Sequence, residues 1–225
     1  MSAVGRYLRS RSDTAEFLFV FIVAWLPNIV IGVAWSALQL GQLQATEEAL
    51  YEGLGFEFVI LAIVLPVLRL RGWTLARLGL RFRPLDLALG LGVAAAIIAL
   101  FELIGAGIAL LPGGEDLVAE FVSIPPRLPV VPVLVFSLFN AIFEEVLLCG
   151  YFIGREAERG REARGIALTA AIRLLCHLYE GWIGGAAIAL MGLGFGWAYA
   201  RTGRLWPIII GHALYDAAAL LGYIG

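Results

Sequence analysis

Long apolar runs, parted by short polar segments, constrain this chain more than any motif within it. About 20 consecutive apolar residues span the hydrocarbon core of a bilayer as a helix, since a helix satisfies its own backbone polar groups where there is no water. Such runs are read at about 17–39, 54–70, 85–111, 129–153, 165–182, 184–200 and 204–224. They predict an all-α, polytopic membrane helix bundle of about seven transmembrane helices. Composition agrees: 61% of the 225 residues are hydrophobic, 15% are charged and mean hydropathy is +0.89, where a soluble domain carries about a quarter charged residues. No polar stretch is long enough for a second domain, so residues 1–225 are expected to form a single transmembrane domain. The first run is too long for a signal-peptide core and lacks a small-residue cleavage site, so it reads as a retained helix.

The arginines orient the bundle. There is no lysine, and all 16 fixed positive charges are arginines. With the N-terminus cytoplasmic, the inner segments carry Arg6, Arg9 and Arg11, then Arg69, Arg71, Arg77, Arg81 and Arg83. They also carry Arg155, Arg159, Arg161 and Arg164, then Arg201 and Arg204. The outer loops carry only Arg127, among Glu47, Glu48, Glu52, Glu115, Asp116 and Glu120. This split obeys the positive-inside rule. A lysine-free chain rich in Ala, Arg and Gly points to a GC-rich prokaryotic genome, hence to a multi-pass protein of a prokaryotic cytoplasmic membrane. The net charge of −2 carries no nucleic-acid signature. Residues 72–84 alternate apolar side chains with arginine, as a segment lying in the inner interface or an ordinary basic loop would. Gly192 and Gly196 form a small-residue pair suited to close internal helix packing.

Ionisable side chains inside a span are costly and mark function. Glu57, Glu102 and Glu180 are placed towards outer helix ends, within reach of water, and Asp86 at a helix N-terminus. The rest are concentrated: Glu144 and Glu145 in the fourth span, Arg173 and His177 in the fifth, His212 and Asp216 in the seventh. Both histidines of the protein are among them. Helix rise puts Glu144, His177 and His212 at similar depth, about 12–18 Å from the inner ends. Arg173 and His177 share a helix face, as do His212 and Asp216. Two carboxylates with two histidines suit general-base activation of water and hydrogen bonding to an oxyanion. The same set could instead ligate a divalent metal such as zinc, with Glu144, His177 and His212 as ligands. No H-E-x-x-H zinc motif and no G-x-S-x-G serine elbow is present.

Three segments, FEEVLLCGYF at 143–152, RLLCH at 173–177 and HALYD at 212–216, resemble the CPBP family, the CAAX-processing and bacteriocin-processing intramembrane proteases also called Abi proteins. LGLR at 78–81 is a weaker likeness. The family pattern is Glu-Glu-x-x-x-Arg, then Phe-x-x-x-His, then His-x-x-x-Asn or Asp, and it is matched in order over about 129–220. The resemblance implies an intramembrane endopeptidase, commonly named a metalloprotease, acting on a membrane-embedded or lipid-modified peptide in the lipid bilayer. It implies that Glu144 and His177 hold the attacking water, that His212 with Asp216 forms the oxyanion side, and that Glu145 supports the site. Two positions depart from the pattern: Cys149 stands where arginine is expected and Arg173 where phenylalanine is. Arg173 is accordingly expected to replace the missing partner of Glu145. Cys149 and Cys176 read as small, buried packing residues. Two other readings remain: a non-catalytic relative acting in bacteriocin immunity or as a scaffold, and a proton-linked transporter. The transporter lacks the internal hydropathy repeat usual for that class.

Overall fold

The computed structural model describes residues 12–40, 45–114, 117 and 127–223, and these fold into helices and turns without strands. Arg6, Arg9, Arg11, Glu115, Asp116 and Glu120 lie outside the described residues. We number the helices α1 (Asp13–Ala37), α2 (Glu47–Leu70), α3 (Leu85–Ala109), α4 (Val130–Ala157), α5 (Glu162–Cys176), α6 (Gly181–Thr202) and α7 (Trp206–Leu220). A 3-10 turn, Leu178–Glu180, leads into α6.

Seven helices are present among the described residues, but five are long and apolar enough to cross a membrane: α1 to α4, and α6 together with its 3-10 turn. α5 and α7 have 15 residues each, about 22 Å of helix against a hydrocarbon core of about 30 Å. The expectation of seven full spans is therefore met in helix number and not in length. The fifth run, read as one helix over 165–182, breaks after Cys176. Gly181, at φ 85°, then lets the chain turn into α6, a conformation that glycine adopts without a Cβ clash.

Helix starts follow local chemistry. The side chains of Ser12 and Thr46 accept from Ala15 N and Ala49 N at the heads of α1 and α2, and Glu47 and Glu48 lie in the first turn of α2, where the helix dipole favours negative charge. Asp86 accepts from Arg83 N at 2.6 Å in the first turn of α3 and ion-pairs with Arg204.

The core gathers around the second half of α4. Every residue of Val146–Ile153 is buried, and there the helix opens into wider π-type turns. α2 runs beside α4 in the same direction. Leu50 clusters with Val133, and a Cβ on Gly53 would meet the Phe136 ring; this register puts Glu57 level with Asn140. α3 and α7 touch through glycines, Gly90 against Ile210 and Gly211 against Val93. In α6, Gly196 lies against Ile153 and Ile166, and Gly192 against Arg173, so this pair serves internal packing as expected.

At the arginine-rich end, residues 72–84 form a loop of turns, one of the two expected forms, and part of it is buried. Trp73 and Leu78 are buried while Leu75 and Phe82 are exposed, and Gly79 O accepts from Leu205 N at 3.1 Å. The segment is a wedge in the end of the bundle. Around it, Glu16 joins Arg71 (2.5 Å), Trp73 Nε1 (3.0 Å) and Tyr151 Oη (3.1 Å). Arg77 donates twice to Glu158, at 2.6 and 2.7 Å.

Those two bonds hold the Glu158 carboxyl below its ordinary range, burial opposing them. A depressed carboxylate contributes stability above its unfolded pKa and loses it as pH falls through the folded value. Both partners are more than a third exposed, so Arg77→Ala should cost under about 1 kcal/mol. The difference in melting temperature between wild type and Arg77→Ala at pH 7 should close on acidification below the ordinary carboxylate range. A gap that widens in acid would contradict this.

Candidate active site

Three helices carry the six polar residues singled out in the sequence, and the fold brings all six together. α4 supplies Glu144 and Glu145, α5 supplies Arg173 and ends at His177, and α7 supplies His212 and Asp216 one turn apart. At their centre is Arg173, 2% exposed. One guanidinium nitrogen donates to Glu144 Oε2 and the other to Glu145 Oε1 at 2.6 Å. The contact with Glu145 is the one the sequence led us to expect; the contact with Glu144 is an addition. A planar fork suits two carboxylates side by side better than an ammonium would. The side chain crosses α6 at Gly192, where a Cβ would lie 2.6 Å from Arg173 Cδ, and its charge lies over the Phe195 ring at 5.6 Å.

Glu144 and Glu145 are adjacent in sequence and differ in surroundings, as their angular separation of about 100° predicts. Glu145, fully buried, is saturated: Oε1 faces Arg173 and His212 Nδ1 (2.8 Å), and Oε2 accepts from Cys149 Sγ at 3.2 Å. Glu144 spends Oε2 on Arg173 and leaves Oε1 3.7 Å from His177 Nε2. That separation is too long for a direct hydrogen bond and short enough for one water to touch both groups.

His177 is oriented from its other nitrogen. Its Nδ1 meets Glu180 Oε1 at 2.8 Å within the 3-10 turn. With the proton on Nδ1, Nε2 is left as an acceptor towards Glu144. His212 lies between Glu145 at Nδ1 and Asp216 Oδ2, 3.4 Å from Nε2. Asn140 Nδ2 donates to the same Asp216 oxygen at 3.1 Å.

Three participants escaped the sequence reading. Glu180 was placed at a watery helix end; the early stop of α5 folds it back onto His177. Asn140 is uncharged and gave no signal, although it lies one helical turn before Glu144. Glu57 was also assigned to an outer helix end. α2 begins ten residues earlier, at Glu47, so Glu57 is about 15 Å along it. It is 6% exposed and interacts electrostatically with Glu144, Asp216 and His212. Cys149 and Cys176 are both free and buried.

Residues 126–218 match the family described as type II CAAX prenyl endopeptidase, Rce1-like. That match is to the CPBP/CAAX-protease family. It covers Asn140, Glu144, Glu145, Arg173, His177, Glu180, His212 and Asp216, and leaves Glu57 outside. No curated protein and no solved structure matches the chain. The family matched over this stretch is a protease family, and the long apolar helices make the chain an integral membrane protein.

One carboxylate oxygen each from Glu144 and Glu145 and a nitrogen of His212 lie within 4.8 Å of one another, a group that could hold a metal ion. Imidazole and carboxylates are apt zinc donors. His177, expected as a ligand, is not in this group. The carboxylates, however, already share the Arg173 guanidinium, and a dication would sit beside that fixed charge. The donor set therefore fits a metal poorly.

Removing Arg173 would strand two buried carboxylates, so Arg173→Ala should destabilise the protein by about 3 kcal/mol or more. Cys149→Arg alone should also destabilise, by placing two guanidinium groups together. The double change Cys149→Arg with Arg173→Phe, which restores the family spacing, should recover most of the loss. Thermal unfolding in detergent or nanodiscs reads all three; a double variant no better than Arg173→Ala would show that position, and not charge alone, is what matters.

Proposed function

We propose that this CAAX-protease-family protein is an intramembrane endopeptidase that hydrolyses a peptide bond of a membrane-embedded or lipid-modified substrate with water activated by Glu144 and His177. The observation that carries the proposal is the 3.7 Å gap between Glu144 Oε1 and His177 Nε2. Each atom is free to accept a proton from one water, and each is oriented from behind, by Arg173 and Glu180.

In this scheme the water oxygen attacks the scissile carbonyl as Glu144 takes its proton. The oxyanion that forms accepts a hydrogen bond from His212 Nε2. Donation from that nitrogen while Nδ1 binds Glu145 requires the doubly protonated ring, and Glu145 and Asp216 flank it with negative charge. Asp216, held by Asn140, thus serves by positioning His212. When the C–N bond breaks, Glu144 returns its proton to the leaving amine. Arg173 carries out the charge-balancing task expected of the absent arginine, and Cys149 fills the space left behind. A non-catalytic role for the chain would rest on Cys149; the contact of Arg173 with both glutamates removes its main support. The arginine-rich end is assigned to the cytoplasm of a prokaryotic cell, with the N-terminus inside.

The test is cleavage of a membrane-peptide library by the purified protein in nanodiscs. Glu144→Ala and His177→Ala should each lose at least about a hundredfold in rate while remaining folded. Cleavage should also persist after exhaustive chelation. Undiminished cleavage by Glu144→Ala would overturn the assignment, and chelator-sensitive activity restored by zinc would replace the guanidinium with a metal in the account.

A further inference from the structure

Glu57 Oε2 is buried and has no hydrogen-bond partner among the described residues. A carboxylate oxygen kept from both water and donors is costly. Glu57 stands at the edge of the candidate site, level with Asn140 and about one helical turn from Glu144, within the electrostatic reach of Glu144, Asp216 and His212. The groups that serve the site's other carboxylates are already committed to them. Arg173 is divided between Glu144 and Glu145, Asn140 serves Asp216, His212 lies between Glu145 and Asp216, and His177 faces Glu180 and Glu144. None of the described residues donates to Glu57 Oε2, which leaves that oxygen for a donor that a substrate brings. Ser137 Oγ, also buried and unpartnered, lies on α4 nearly one turn further from Glu144 and continues the same polar edge.

A peptide can be attacked by water inside a membrane only where its backbone is unwound, because a helix covers its carbonyls. Unwinding strips N–H groups of their helical partners in a medium with no water to replace them. An oxygen lacking a donor and a substrate lacking acceptors are complementary. We propose that Glu57 is a substrate-binding residue, accepting a backbone N–H of the unwound peptide next to the scissile bond. The contact is to backbone, so it steadies any sequence and selects for an extended segment. The proposal rests on the proteolytic reading above.

The experiment is a set of variants of one cleaved library peptide. In each, one amide near the scissile bond is replaced by an ester, which deletes a single N–H. Wild-type protein should lose about tenfold in kcat/KM, the worth of one hydrogen bond of about 1.4 kcal/mol, at one position of the series. In Glu57→Ala that same replacement should have no further effect, whereas Glu57→Gln, which keeps an acceptor oxygen, should retain the sensitivity. Purely structural damage at Glu57 would lower all peptides alike and leave the sensitivity in place. Cleavage with no position coupled to residue 57 would overturn the Glu57 assignment and spare the protease. A wild-type protein that cleaves no member of the library would take both down.

Discussion

Two glutamates next to each other in an apolar bundle cannot both be ionised without a cation, and in this protein the cation is Arg173. The whole site hangs on that pairing. The guanidinium takes one oxygen from Glu144 and one from Glu145, which turns each carboxylate in a fixed direction. Glu145 is then free to hold His212, and Glu144 is left with a single unoccupied oxygen facing His177. An asymmetric pair, one anchor and one candidate base, results from a single planar fork.

Much of the fold makes room for this arrangement. Gly192 lets the arginine pass against α6. The early end of α5 places His177 at a helix terminus, where the following turn can supply Glu180 as a second contact. α7 is likewise short, and Gly211, one residue before His212, lets it approach α3 closely. The opening of α4 into π-type turns begins just after Glu145, a feature often met at functional sites. Away from the site, the salt-bridged wedge around Trp73 and Glu16 closes the arginine-rich end of the bundle.

The apolar runs made the helical architecture plain in the sequence, since nothing but helices satisfies such stretches in lipid. They could not tell a full span from a 15-residue helix continued by a turn, because hydropathy does not register a change in backbone direction. His177 and His212 were conspicuous as the only histidines, and Arg173 as a charge where a phenylalanine was expected. Glu180 and Glu57 were misread for one reason: depth was judged from the edges of apolar runs, while α2 starts seven residues before its run and α5 stops six residues short of its own. Asn140 was hidden because a neutral amide pays little to sit in a helix, and only its distance to Asp216 reveals it.

The most direct test of the central claim is a double-mutant cycle between Arg173 and Glu145, with folding stability as the readout. Arg173→Met and Glu145→Gln should each destabilise strongly, since each leaves buried charge unmatched. The account predicts that the double variant loses less than the sum of the two by about 1–3 kcal/mol. Strictly additive losses would mean that the two residues do not form the pair on which the site is built.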